Sequence, residues 1–169
     1  SRASIGSMGS DVEIGTDDAV GAARAAGGAL RFWLASADSL DFMRREGKPI
    51  PVVIYLHGGG FVSKFPSMER QMVARWADDT RALCVYVDYS LAPEARYPRP
   101  LDECFAVYRC VVGGGLGVVA SRVVLVGESN GGTLAAAVCV RAAQEGVRAP
   151  DGLVLGYPVL SMVADPTTP

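Results

Sequence analysis

The hydrophobic positions of this chain fall into two alternating patterns. Four short runs are almost entirely apolar and rich in Val, Ile and Leu, which is typical of strands buried on both faces of a parallel sheet. These runs are 51–56, 82–87, 123–126 and 153–157. Three intervening segments have helical spacing of apolar residues or an Ala-rich helical composition. These segments are 67–79, 100–112 and 131–144. The order β-α-β-α-β-α-β predicts an α/β fold with a mostly parallel central sheet and helices on both faces.

The first 49 residues differ in character from the rest. Residues 1–28 are dominated by Ser, Gly, Ala and Asp, and we expect a mobile tail there, with some helix at 20–26. The apolar stretch 30–34 fits either a strand or a helix. We therefore divide the chain into an N-terminal tail, residues 1–49, which could supply a cap or lid segment, and a partial catalytic domain, residues 50–169.

Composition narrows the class of protein. The 169 residues, half of them hydrophobic, are one domain's worth of chain, and the net charge of −2 offers no basic patch for nucleic acid. No apolar run reaches membrane-spanning length, and the N-terminus has no secretory signal, so we expect a cytoplasmic protein.

The four cysteines form no C-x-x-C pair and accompany a single His, which indicates reduced core residues and neither a metal site nor a cofactor. They are Cys84, Cys104, Cys110 and Cys139.

Residues 127–131 read Gly-Glu-Ser-Asn-Gly, directly after a predicted strand and before a predicted helix. This fits the G-x-S-x-G nucleophile elbow, in which a serine sits on a tight turn with its hydroxyl exposed. Ser129 is therefore the candidate nucleophile. The alternative is a glycine-rich turn of the kind that any doubly wound fold can contain.

Residues 57–60 read His-Gly-Gly-Gly and follow the first predicted strand. Glycine lets the backbone approach a ligand closely, and such loops donate N–H groups to an oxyanion. We predict Gly58 and Gly59 as donors, with the N–H of Asn130 as the third. A phosphate-binding loop is the alternative, but neither G-x-G-x-x-G nor a P-loop occurs. A nucleophile and an oxyanion hole together indicate acyl transfer, most simply ester hydrolysis.

The chain lacks an obvious general base for the serine. Its one histidine, His57, lies inside the glycine loop, where reaching Ser129 would be awkward. We expect His57, with Gly60, to hold the loop, and keep the base role as the less favoured alternative. No carboxylate is an obvious triad acid, and we expect those after Ser129 to be solvated. The carboxylates considered are Asp88, Glu94, Asp102, Glu103, Glu128, Glu145, Asp151 and Asp165.

Three ordered motifs, at 57–61, 88–94 and 127–132, resemble the hormone-sensitive lipase family of α/β-hydrolases, and the resemblance extends over 51–161. It implies an α/β-hydrolase fold and a carboxylester or acylglycerol hydrolase acting through an acyl-enzyme on Ser129. Gly58, Gly59 and Asn130 would form the oxyanion hole. The family usually has Asp and Ala where Glu128 and Asn130 stand, and we expect the Asn130 side chain to crowd the acyl pocket.

The resemblance also places the family's acid and His downstream of 153–157, beyond Pro169, so the C-terminal part of the fold would lie outside this chain. The 169 residues alone would then be weakly active or inactive. A catalytically inactive, ligand-binding or receptor-like member of the same fold is the alternative, and an interaction domain with a fortuitous elbow is a weaker one. Besides an ester or acylglycerol substrate, the expected partners are a lipid surface and a chain pairing with the open edge strand at 153–157.

Overall fold

The computed structural model describes residues 10–14, 30–35 and 46–161. In chain order the elements are β1 (Ser10–Ile14), β2 (Leu30–Ala35), β3 (Ile50–Leu56), α1 (Pro66–Thr80), β4 (Leu83–Val87), α2 (Arg99–Val112), β5 (Ala120–Glu128), α3 (Asn130–Gln144) and β6 (Gly152–Gly156). The seven elements predicted between residues 51 and 157 are all present, with small shifts at their ends. None of the helices in these ranges is long and apolar enough to cross a membrane.

The strands form one mixed sheet in the order β1-β2-β4-β3-β5-β6. Strands β4, β3, β5 and β6 are parallel to one another, while β2 is antiparallel to β4 and to β1. Leu56, the last residue of β3, pairs with Gly127 near the end of β5. Because the carboxyl ends of neighbouring parallel strands meet at one edge, the glycine loop and the predicted elbow begin side by side.

Two strands come from the N-terminal segment. The stretch at 30–34, which fitted either element, is the strand β2, with Phe32, Trp33 and Ala35 buried. The expectation of a tail is wrong for residues 10–14, which form β1 and pair with β2. The helix predicted at 20–26 lies outside the described residues. The cap role of residues 1–49 and the domain division at residue 50 stay predictions.

Helices cover both faces of the sheet, as predicted. One apolar cluster joins β3, β4 and β5 to α2 and α3, with Phe105 and Val138 fully buried. A second joins the opposite face to α1 through Val73 and Ala77. All four cysteines are free, and burial raises the pKa of the Cys84 thiol to about 12. No cluster of His, Cys, Asp and Glu in the described ranges could hold a metal ion.

The start of α3 packs directly on the end of β3, and this contact requires glycine. A Cβ on Gly131 would overlap the carbonyl oxygens of Leu56 and His57. By contrast, a Cβ on Gly152 would meet the Val124 side chain at an ordinary 3.4 Å.

We therefore expect Gly131→Ala to lower the free energy of unfolding by about 1–3 kcal/mol, because the backbones must separate. At an open helix position the same replacement would favour folding by up to about 1 kcal/mol. Gly152→Ala is the matched control and should leave stability unchanged or slightly raised. Urea denaturation followed by circular dichroism measures both, and equal midpoints for the two variants would contradict the close contact.

Candidate active site

Ser129 occupies the turn between β5 and α3 in a strained backbone conformation. Its φ is +52° and its ψ is −125°, a region that side-chain-bearing residues rarely adopt. The Ser129 N–H donates to the Gly156 carbonyl at 2.8 Å, and the Ser129 carbonyl accepts from the Thr133 N–H at 3.2 Å. A Cβ on Gly127 would overlap the Gly131 carbonyl, so the turn is as tight as the elbow pattern predicts.

The Ser129 side chain stands at the N-terminus of α3 without capping it. Ser129 is the N-cap residue, yet its hydroxyl makes no cap hydrogen bond to the helix. The positive end of the helix dipole favours negative charge at this position. The hydroxyl is therefore at a place where an oxyanion would be stabilised, and it is not committed to a structural bond with the helix.

The glycine loop lies against the elbow. A Cβ built on Gly58 would be 3.5 Å from the Ser129 Cβ. Gly59 has a φ of +117°, and its carbonyl accepts from the Ser63 N–H and hydroxyl, both at 3.0 Å, which closes a tight turn. Among the described residues, the N–H groups of Gly58 and Gly59 donate to no acceptor. The structure thus brings the predicted donors and the predicted nucleophile together.

The Asn130 side chain points into the protein and does not crowd the cavity, so that expectation is wrong. The residue is only 3% exposed. Its Oδ1 accepts from the Gly60 N–H at 2.8 Å, and its Nδ2 donates to the Tyr89 hydroxyl at 3.0 Å. Sequence analysis missed this contact because the motif fixes only the backbone of the residue after the serine.

His57 is fully buried beneath the glycine loop. Its ring stacks on Tyr89 at 4.0 Å between centroids and on Tyr86 at 5.7 Å. The Nδ1 atom lies 2.7 Å from the Gly58 carbonyl, which can only accept, so Nδ1 carries the hydrogen. Burial lowers the pKa of His57, and the ring is neutral at pH 7. The imidazole bonds to its own loop and, within the described ranges, makes no hydrogen bond to Ser129.

The motif at 88–94 supports the glycine loop, a role that sequence analysis did not assign. The Tyr89 hydroxyl donates to the His57 carbonyl at 2.6 Å, and the Ala92 N–H donates to the Phe61 carbonyl at 2.8 Å. Asp88 forms an ion pair with Lys64. These contacts tie the segment after β4 to the segment after β3 at the edge that carries Ser129.

An open cavity of about 500 Å³ lies beside Ser129, Gly58 and Gly59. Aromatic and thioether side chains form much of its wall, and three of them, Phe65, Met68 and Tyr157, are more than half exposed at its mouth. The other side chains of this kind are Tyr55 and Met72. The wall therefore suits an apolar group next to the nucleophile.

Two carboxylates, Glu69 and Glu128, also line the cavity, and tyrosine hydroxyls hold both. Glu128 accepts from Tyr55 at 3.0 Å and from Tyr157 at 2.6 Å, while Glu69 accepts from Tyr86 at 3.0 Å. Burial, followed by the nearby Glu128 charge, raises the pKa of Tyr55, so its hydroxyl remains a donor. Neither carboxylate bonds to Ser129.

Among the described residues, the remaining acidic candidates make no hydrogen bond to Ser129. Arg141 pairs with Asp102 at 2.6 Å and with Glu145 at 2.7 Å. Glu103 accepts from Ser90, and Asp151 accepts from the Val123 N–H at 2.7 Å, which, with Arg148, lowers the Asp151 pKa. Glu145 and Asp151 are exposed, as expected, and each also pairs with an arginine. Glu94 is exposed, and Asp165 lies outside the described residues.

His57 makes a pH dependence of stability predictable, because it is the chain's only histidine. Its folded pKa is below the unfolded value, so the unfolded chain binds the extra proton and stability falls as pH falls through that unfolded value. From pH 7 to 5.5 we expect a loss of up to about 1.4 kcal/mol per pH unit. His57→Asn, which cannot titrate, should flatten this slope in urea unfolding at each pH. The same slope in both proteins would assign it to other groups.

Sequence comparison finds similarity to a lipase and to a receptor. Hormone-sensitive lipase of Bos taurus is 42% identical over 123 residues, which are 69% of this chain and 16% of that protein. The gibberellin receptor GID1 of Oryza sativa subsp. japonica is 35% identical over 114 residues, 64% of this chain and 32% of the receptor. These matches confirm the resemblance to the hormone-sensitive lipase family.

Structural comparison gives the same fold. A hyperthermophilic esterase from the archaeon Pyrobaculum calidifontis superposes with a TM-score of 0.76 at 29% identity, covering 94% of this chain and 46% of the esterase. The chain thus spans less than half the length of each of these three relatives. The sequence profile described as the alpha/beta hydrolase fold matches residues 53–169, and the chain belongs to that family.

Proposed function

We propose that this chain carries the nucleophile and the oxyanion-binding loop of a serine carboxylester or acylglycerol hydrolase. One observation carries the proposal: a strained serine at the N-terminus of α3 shares a cavity with two glycines whose N–H groups have no acceptor among the described residues. The resemblance to hormone-sensitive lipase supports the same class of substrate.

In the proposed reaction the Ser129 Oγ attacks the ester carbonyl carbon and passes its proton to a base. The carbonyl oxygen becomes an oxyanion, which accepts from the N–H groups of Gly58, Gly59 and Asn130. Collapse of this intermediate expels the alcohol and leaves an acyl-enzyme, which water hydrolyses. Each donor of this kind typically contributes about 10²–10³ in rate.

The base and the acid of the triad remain to be supplied. His57 is buried and bonded to Gly58, and Glu128, the carboxylate next to Ser129 in sequence, accepts from Tyr157. We propose that residues outside this chain provide both in the active enzyme. The 169 residues alone should then retain only the weak catalysis, about 10³–10⁴ over water, that oxyanion binding supplies without a full triad.

The surroundings of the cavity suggest the kind of substrate and partner. Its aromatic and thioether wall fits an apolar acyl or alcohol group, and exposed Phe65 and Met68 at the mouth could touch a lipid surface. A cap from residues 1–49 would cover this mouth, and the exposed Val154 on the edge strand β6 could pair with another chain. A cytoplasmic location fits these proposals.

A fluorophosphonate probe tests the nucleophile. The chain should become covalently labelled, with the added mass on the peptide that contains Ser129, and short-chain p-nitrophenyl esters should be cleaved slowly. Ser129→Ala should abolish labelling, because no hydroxyl remains to attack. Ser121→Ala, at the far end of the same strand, is the control and should react like the unaltered chain. Labelling that survives in Ser129→Ala would refute the assignment.

A receptor-like binding protein is the second candidate, and the similarity to gibberellin receptor GID1 favours it. A receptor needs the cavity but not the serine hydroxyl. In that case a gibberellin should raise the melting temperature equally in the unaltered chain and in Ser129→Ala, and ester hydrolysis should be absent from both. Ligand-induced stabilisation without labelling would favour this candidate, and labelling without stabilisation would favour the hydrolase.

A further inference from the structure

We infer that the Asn130 side chain is a positioning residue that aims the N–H groups of the glycine loop at the oxyanion. The inference rests on the proposed function, since it concerns the same site. It assigns a role to the side chain of Asn130, separate from the donor role of its backbone.

The direction of two N–H groups follows from where the carbonyls of the loop point. In a trans peptide the C=O and the next N–H point to opposite sides. The His57 carbonyl accepts from the Tyr89 hydroxyl in the interior, so the Gly58 N–H points away from Tyr89. The Gly58 carbonyl accepts from the buried His57 ring, so the Gly59 N–H points away from that ring. Both glycines line the cavity, whereas neither Tyr89 nor His57 does.

Asn130 joins this arrangement to the elbow. Its Oδ1 takes the Gly60 N–H, which draws the third glycine toward α3. Its Nδ2 donates to the oxygen of Tyr89, which leaves the hydrogen of that hydroxyl for the His57 carbonyl. Asn130 and Tyr89 are 3% and 1% exposed, so water does not compete for these bonds.

In the series Gly60, Asn130, Tyr89 and His57, each residue donates a hydrogen bond to the next. This arrangement needs an amide at residue 130. An amide accepts at one end and donates at the other, whereas a carboxylate only accepts and a methyl group does neither. Asn130→Asp therefore keeps the acceptor for Gly60 and loses the donor to Tyr89, while Asn130→Ala loses both. The two variants separate the two bonds.

Amide hydrogen exchange of Gly60, followed by NMR on the full chain, tests the first bond without any need for activity. The Gly60 amide should be protected in the unaltered chain and in Asn130→Asp, and should exchange at least about tenfold faster in Asn130→Ala, as expected when a hydrogen bond opens locally. Equal exchange in the unaltered chain and in Asn130→Ala would overturn the inference.

The rate of Ser129 labelling by a fluorophosphonate tests the effect on the site. Asn130→Ala and Tyr89→Phe should each slow labelling about tenfold, less than the 10²–10³ for outright loss of a donor. Their combination should be no slower than the slower single variant, because both break one network. Tyr108→Phe is the matched control: its buried hydroxyl also donates to a backbone carbonyl, that of Arg148, and labelling should stay within about twofold of the unaltered rate.

The results distinguish failure of this inference from failure of the proposed function. The inference would be overturned if Asn130→Ala were labelled at the rate of the unaltered chain, or if Tyr108→Phe lost as much of the labelling rate as Asn130→Ala does. Either result would leave the Asn130 side chain with a structural role only. Absence of Ser129 labelling in the unaltered chain would refute the proposed function instead, and Gly60 exchange would still decide whether Asn130 holds the loop.

Discussion

The close approach of the first turn of α3 to the end of β3 is the contact on which the site depends. Gly131 lies directly over the Leu56 and His57 carbonyls, and β3 and β5 pair without a shift from Pro51 to Leu56, which lies opposite Gly127. A side chain at residue 131 would hold the helix away from the strand. Ser129 could then no longer lie against Gly58, and Asn130 could no longer reach the Gly60 N–H. One missing Cβ thus sets the distance between nucleophile and loop.

Contacts with the end of β6 help the strained conformation of Ser129 to persist. A positive φ at a serine costs roughly 1–3 kcal/mol, and the surroundings must over-determine it. Strand β6 contributes to this, because the Gly156 carbonyl accepts from the Ser129 N–H at 2.8 Å. Farther along, the Thr133 hydroxyl donates to the Val159 carbonyl at 2.6 Å. The end of β6 is therefore part of the elbow as well as part of the sheet.

Features set by neighbouring residues were predictable from the sequence, whereas contacts between residues far apart in the sequence were not. Strands β3 to β6 were predictable because each is a continuous apolar run, and the position of Ser129 followed from glycines beside it in the sequence. Strand β1 was missed because five residues among small polar ones carry no strong pattern, and its evidence lies in antiparallel pairing with β2. The direction of the Asn130 amide depends on Tyr89, 41 residues away, so no local pattern contains it.

The charges and hydrogen bonds around Ser129 determine which of the described residues could take its proton. Carboxylates beside an oxyanion would oppose its charge, and Glu128 directly precedes the nucleophile. The hydroxyls of Tyr55 and Tyr157 donate to Glu128, and their raised pKa values keep them protonated donors. Because Glu128 is held as an acceptor of these bonds and His57 is fully buried and bonded to Gly58, neither is placed to take the Ser129 proton. In the proposed hydrolysis, this part of the fold would supply the nucleophile and the oxyanion donors, and another group would take the Ser129 proton.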